Sequence, residues 1–170
     1  MEPEILIAIC AVFVSIVSLL SSIYFGWCTR DHNKRSVKPL PYVLPSDFED
    51  HISVRIWNNG SGPLILNKVI AYNKKDKTSG HLIDLVPSPP VDIYFNNFTK
   101  VTPGRAILPS HNLNLLDFEV DENDPNAVNY REQLRNYLGN IEIQVEYSDI
   151  YELKFPTYKK ELTWFHRQIS

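Results

Sequence analysis

From Ile5 to Cys28 the chain carries no charged side chain, and nearly every residue is apolar or small. As a helix, Ile5–Trp27 would run about 34 Å at 1.5 Å per residue, enough to cross a hydrocarbon core of about 30 Å. In a chain of 170 residues this leaves room for one membrane segment and one domain. A cleaved leader is the competing reading, and three features oppose it. Glu2 and Glu4 stand where a leader has Lys or Arg, the apolar run is too long, and bulky residues Tyr24–Cys28 replace a small-residue cleavage site. Residues 1–28 are therefore expected to form a retained transmembrane helix.

The flanks predict its orientation. Arg30, Lys34, Arg35 and Lys38 follow the run against a single Asp31, whereas only acidic residues precede it. The positive-inside tendency puts the large C-terminal part in the cytoplasm and the N-terminus outside. Tyr24 and Trp27 suit the interfacial belt on the basic side. The two cysteines, Cys10 and Cys28, fall inside or at the edge of the run. The rest of the chain thus has no disulfide framework, in keeping with a reducing compartment.

Within the apolar run Glu4, Ala8, Ala11, Ser15, Ser18 and Ser22 recur at spacings of three and four. Lipid tails are as apolar as leucine, so helices in a bilayer associate through small residues and hydroxyl hydrogen bonds. The stripe therefore has three readings. It lets backbones approach in a tight dimer, or it lines a path through a ring of four or five helices with Glu4 at the outer mouth. In the third it is incidental, each serine hydroxyl bonding back to its own helix.

Residues 29–45 read as a basic, Pro-rich linker, with Pro39, Pro41 and Pro45 favouring an extended, stiff form. Residues 46–170 read as an antiparallel, immunoglobulin-like β-sandwich carrying one short helix. Ile52, Val54 and Ile56 alternate with polar residues, "NNGSGP" is a concentrated turn signal, and "LILNKVIAY" follows, so a hairpin is expected. Ile141, Ile143, Val145 and Tyr147 mark a second strand, "LNLLDFEV" another, and "YELKF" and "ELTWFH" two shorter ones. Asp124 and Pro125 predict a helix start and Gly139 its end, with Val128, Arg131, Leu134 and Leu138 on one side. The Pro- and aromatic-rich stretch from Val86 to Lys100 has no clear period and suits an ordered loop or a partner surface.

Charge and motifs narrow the function. Beyond residue 38 the chain holds 13 Lys+Arg against 17 Asp+Glu, a net charge of −4, which is no broad footprint for nucleic acid. Lys68, Lys74, Lys75 and Lys77 cluster, as at a solvated hairpin tip. The five histidines lie singly, without metal-ligand spacing, and "NGSGP" lacks the strand-to-helix setting of a nucleophile elbow. "KKDKTSG" lacks the leading glycines of a phosphate loop, and Pro125 interrupts the acidic spacing of "DENDPN". No catalytic residue, metal or cofactor is expected. The Asn59 and Asn97 sequons read as turn and loop residues.

In layout the chain resembles small bacterial single-pass membrane proteins with an N-terminal helix, a basic stop like "RDHNKRSVKP" and a sandwich opening like "VRIWNNGSGPLILNKVI". Among them it is similar to the membrane effector of the Hailong anti-phage system. That resemblance implies a homo-oligomer such as a tetramer, gated by a nucleotide oligomer that a partner nucleotidyltransferase makes. It is one of size and arrangement, and it carries over no ligand-binding residue. The expected function is an oligomeric membrane effector or channel controlled by the sandwich. The alternative is a membrane-anchored adaptor whose sandwich binds a partner protein.

Overall fold

The computed structural model describes residues 3–168, so Glu2 of the amino-terminal flank lies outside it. The chain divides into two compact units, Met1–Val37 and Lys38–Ser170.

The first unit is a single helix, α1 (Pro3–Ser36), long and apolar enough to cross a membrane. It does not stop at the end of the apolar run. Thr29–Ser36 continue it, joined by an Asp31–Arg35 ion pair at 2.9 Å one turn apart, with Lys34 and Arg35 at the carbonyl end of the helix dipole. The expected linker over residues 29–45 is thus divided differently. Its first part is helix, its last part belongs to strand β1 (Pro41–Phe48), and residues 37–40 alone connect the two. Prolines suit β1 because it is an edge strand, where a missing N–H leaves no ladder bond unmade.

The second unit is two antiparallel sheets. One has the order β1, β2 (His51–Asn58), β7 (Asn112–Glu119), β5 (Asn97–Phe98). The other runs β4 (Thr78–Gly80), β3 (Leu64–Asn73), β8 (Ile141–Ser148), β9 (Tyr158–Glu161); β6 (Ala106–Ile107) also pairs with β3, and a one-turn helix α2 (Leu82–Leu85) follows β4. The alternation read from the sequence sends Ile52, Val54 and Ile56 from one sheet, and Ile141, Ile143 and Val145 from the other, into one hydrophobic cluster. A register shift at Val54/Arg55 buries two consecutive residues of β7, Leu115 and Leu116.

Three expectations change. β2 and β3 form no hairpin with each other, because they belong to different sheets and "NNGSGP" crosses between them. The Thr157–His166 region supplies β9 and then a 3-10 turn, Thr163–Gln168, rather than a strand through "ELTWFH". "YELKF" is a turn with a single bridge, Ser148 to Lys154. Lys74, Lys75 and Lys77 do meet a tip, the β3–β4 turn, where Lys74 pairs with Glu161, whereas Lys68 lies within β3 opposite Glu146.

Helix α3 (Pro125–Leu138) starts as expected, the Asp124 carboxylate accepting from the Asn126 N–H at 2.9 Å. Its buried face is rotated from the expected one. Ala127, Tyr130, Leu134, Arg135 and Leu138 are inside, while Val128 is exposed. The reason is the size and chemistry of two inward groups. Tyr130 stacks edge-on against Phe118 and Phe95, with centroids 5.2 and 6.2 Å away, and Arg135 reaches a carboxylate. Gly139 is right-handed (φ −59°), so it serves not as a left-handed cap but as a site of close approach, since a Cβ there would strike the His166 ring.

The Tyr130 hydroxyl donates to the Pro87 carbonyl at 2.7 Å, anchoring the Pro-rich loop together with Phe95. Burial pushes its ionisation up from 10.0 to about 12. A raised acid favours its neutral form, so this contribution is complete below pH 10 and is lost as pH rises through about 12. Tyr130→Phe should lower the urea midpoint at pH 8 and make it less sensitive to pH between 10 and 12. A wild-type midpoint that stays level through that window would refute the assignment.

Candidate functional site

On an ideal helix of 100° per residue, Glu4, Ala8, Ala11, Ser15, Ser18 and Ser22 fall within an arc of about 80°. All six are exposed on α1. A shallow notch opens at Ala8 between Ile5, Ile9 and Val12, the four-residue pattern into which a side chain of a packed helix inserts. Two of the serines are already engaged. Ser15 Oγ donates to the Ala11 carbonyl at 2.8 Å, and Ser22 Oγ to the Ser18 carbonyl at 2.9 Å. Their hydrogens are satisfied within the helix, and their oxygens keep acceptor capacity. Tyr24 and Trp27 project from other sides of α1 and are exposed. Arg30, Lys34 and Arg35 lie on the continuing helix, not in a linker.

The second candidate is the place where the chain enters the sandwich. Asn58 is fully buried and satisfies four backbone groups with one side chain. Its Oδ1 accepts from the N–H groups of Leu40 (3.2 Å) and Gly60 (3.0 Å), and its Nδ2 donates to the carbonyls of Gly62 (2.8 Å) and Ile107 (2.9 Å). The Asn59 and Ser61 N–H groups bond the Leu40 and Lys38 carbonyls. Gly60 lies so close that a Cβ would come within 2.5 Å of the Leu40 nitrogen and 2.7 Å of the Pro39 carbonyl carbon, and nearer still to the Lys38 oxygen. The turn read as a hairpin is a clamp on residues 38–40.

The third is a buried ion network. The Asp47 side chain is 1 % exposed and receives Arg131 Nη2 at 2.9 Å and Arg135 Nε at 2.7 Å. Arg135 also donates to Glu132 from Nη1 at 2.6 and 2.7 Å. The bond to Asp47 outweighs burial and raises the guanidinium's affinity for its proton. The network fastens α3 to the edge strand β1.

Two polar surfaces complete the domain. On the outer face of the β1–β2–β7 sheet, His51 Nε2 lies 2.8 Å from Arg55 Nη2 and 3.3 Å from Asp117 Oδ1. Ser53, buried beneath them, accepts from Arg55 Nε at 3.1 Å. A cleft of about 400 Å³ is lined by Asn73, Lys75, Asp76, Tyr137, Asn140 and His166. It offers amide and aromatic contacts, and its one lysine is matched by an aspartate, so it is no cradle for a polyanion. Among the described residues no group of three or more His, Cys, Asp or Glu side chains is placed to hold a metal ion.

Sequence reasoning missed Asn58, Asp47 and Arg135. Asn58 was legible only as a turn residue. An Asp in a strand and an Arg on a helix, 88 positions apart, give no local sign that they meet. Compared with known proteins, the sequence matches no protein-family model and no curated protein.

Proposed function

We propose that the chain is a single-pass membrane protein with its amino terminus outside and an immunoglobulin-like sandwich in the cytoplasm. It works as an oligomeric membrane effector or channel whose sandwich controls a bundle of α1 helices. The strand orders support the fold reading, since β1-β2-β7-β5 and β4-β3-β8-β9 correspond to the A-B-E-D and C′-C-F-G sheets of immunoglobulin-type domains. The observation that carries the assembly is the narrow arc that gathers Glu4, both alanines and three of the four serines of the apolar run, Ser21 lying outside it. The clamp on residues 38–40 supports control, because a movement of the β2–β3 turn is passed directly to the chain leading from α1. A ligand would act by binding one arrangement of the sandwich more tightly than the other. A nucleotide oligomer in that role, a partner nucleotidyltransferase and a place in anti-phage defence rest on the resemblance in layout alone.

The adaptor reading has one observation in its favour. Ser15 and Ser22 satisfy their own hydroxyl hydrogens, so neither needs a neighbouring helix. The double variant Ser15→Leu/Ser18→Leu separates the two readings. Full-length protein in nanodiscs should have the mass of a tetramer or pentamer and conduct ions, and the variant should fall to monomers without conductance. A monomeric wild type would end the effector reading and leave the adaptor.

A further inference from the structure

Four segments meet at the end of the sandwich where the chain enters. Residues 38–40 bond the β2–β3 turn, and that turn bonds Ser110 and His111. β6 lies on the first residues of β3, which pair with the end of β8 at Ser148. Lys38 Nζ lies 5.7 Å from the centre of the Phe155 ring, so the β8–β9 loop closes the group. This end also gathers five exposed large apolar side chains. Leu40, Leu108, Ile150, Tyr151 and Leu153 come from three separate segments, and each is 48–55 % exposed. The last three are displayed by a built loop. Asp149, itself buried, accepts from the Tyr151 and Leu153 N–H groups at 2.8 and 2.9 Å and holds Glu152 in the left-handed region at φ 61°.

Lys38, Arg105 and Lys154 are exposed among these apolar groups, with Glu152 the acidic residue nearest them in the loop. At the opposite end the β1–β2 turn carries Glu49 and Asp50, and the Val120 N–H ties it to the segment bearing Asp121 and Glu122. All four of those acids are exposed, and the β3–β4 turn brings Lys74, Lys75 and Lys77 to the same end, so charge there is mixed. Phe48 is a large exposed apolar residue at that end.

We propose that the end of the sandwich formed by residues 38–40, 105–111 and 149–154 is a lipid-contacting surface, which rests on an anionic bilayer through its leucines, isoleucine and tyrosine with Lys38, Arg105 and Lys154 among the headgroups. The inference rests on the reading of α1 as a membrane span and adds a second contact to it. Apolar side chains ringed by lysine and arginine are the composition that settles at the boundary of headgroups and acyl chains, the long basic stems lying along the apolar surface. Near anionic lipid Lys38, Arg105 and Lys154 are attracted as a local group, even in a domain of net negative charge. The chain supplies proximity. Beyond the apolar run, Thr29–Ser36 add about 12 Å of helix and residues 37–40 reach at most about 14 Å before β1 begins.

The test uses the full-length chain in vesicles of phosphatidylethanolamine and phosphatidylglycerol. Cys10 and Cys28 are replaced by serine, and single nitroxide labels are placed through Leu108→Cys, Leu153→Cys, Glu122→Cys and Leu19→Cys. Collision with oxygen reports contact with lipid, and collision with a water-soluble nickel chelate reports contact with water. The labels at 108 and 153 should favour oxygen, with nickel access several-fold below that at 122. Adding Arg105→Glu and Lys154→Glu should bring their nickel access up to the level at 122. If 108 and 153 match 122 while 19 favours oxygen, the surface proposal fails and the span stands. If 19 itself is open to nickel, both fail. Labels at 108 and 153 shielded from both reagents would place a protein contact there and overturn the lipid assignment.

Discussion

Replacing Asp47 with Ala should cost the sandwich about 3–5 kcal/mol, because it leaves two guanidinium groups inside the domain without their carboxylate. The side chains of Arg131 and Arg135 are 12 % and 7 % exposed, so water can replace the carboxylate only in part. The value should fall toward the lower end of that range. Glu132 still covers Arg135 at 2.6 Å, and Glu49, Asp50 and Glu122 line the open cleft beside Arg131. Against a typical domain stability of about 5–15 kcal/mol, this is enough to populate unfolded sandwich at modest denaturant. The measurement is the urea midpoint of full-length protein in detergent, followed by tryptophan fluorescence. Exchanging Asp47, Arg131 and Arg135 together for Leu, Met and Met should recover much of the loss, since no charge is then left buried alone. A single variant within 1 kcal/mol of wild type would show that the network is solvated and contributes little.

Asn58→Asp is expected to be of similar size, for the opposite electrostatic reason. The two N–H bonds from Leu40 and Gly60 survive, but the two donated bonds become a carboxylate facing the carbonyls of Gly62 and Ile107. At a fully buried site this costs about 3 kcal/mol or more at neutral pH, as a lone buried charge does. The introduced carboxyl would hold its proton more tightly in the folded state than in the unfolded one. The sign of the pH dependence follows. The charge penalty is absent below the unfolded carboxyl value and grows as pH rises toward the folded one, so the variant should be nearest wild type in acid, where the protonated carboxyl still restores only one of the two donated bonds. Thermal melts of both proteins across pH 4 to 8 are the check, and a gap that stays constant over that range would overturn the account. Because Asn58 holds residue 40, the variant should also loosen the chain between α1 and β1. Faster proteolysis near Lys38 in folded protein would report that directly.

Parts of this molecule are visible one segment at a time. The uncharged run predicts a long apolar helix, and α1 is one, long and apolar enough to cross a membrane. Period-two alternation shows which side of β2 and β8 is inside, because a strand's two faces are decided by its own residues. Asp124 and Pro125 announce the start of α3, since capping is chemistry within one turn. The small-residue stripe is legible too. The engagement of its serines with their own helix is a matter of rotamer, which no spacing reveals.

What a strand pairs with is another matter. "NNGSGP" signals a reversal, and a reversal serves equally a hairpin within one sheet and a crossing between two. The choice lay with partners far along the chain, β7 for β2 and β8 for β3, and with Asn58, whose four bonds make the crossing a clamp. The inward side of α3 was settled likewise, by an aspartate on β1 and an aromatic cluster from β7 and the Pro-rich loop. The sequence by itself determined the exposed apolar helix, the inward side of each long strand, and the place where α3 begins. The tertiary structure alone decided which sheet each strand joined, which turn held the incoming chain, and which exposed residues gathered at one end. The physical reason is range: burial periodicity and capping act within a few residues, whereas sheet order and buried charge pairs depend on groups that meet only after the chain has closed on itself.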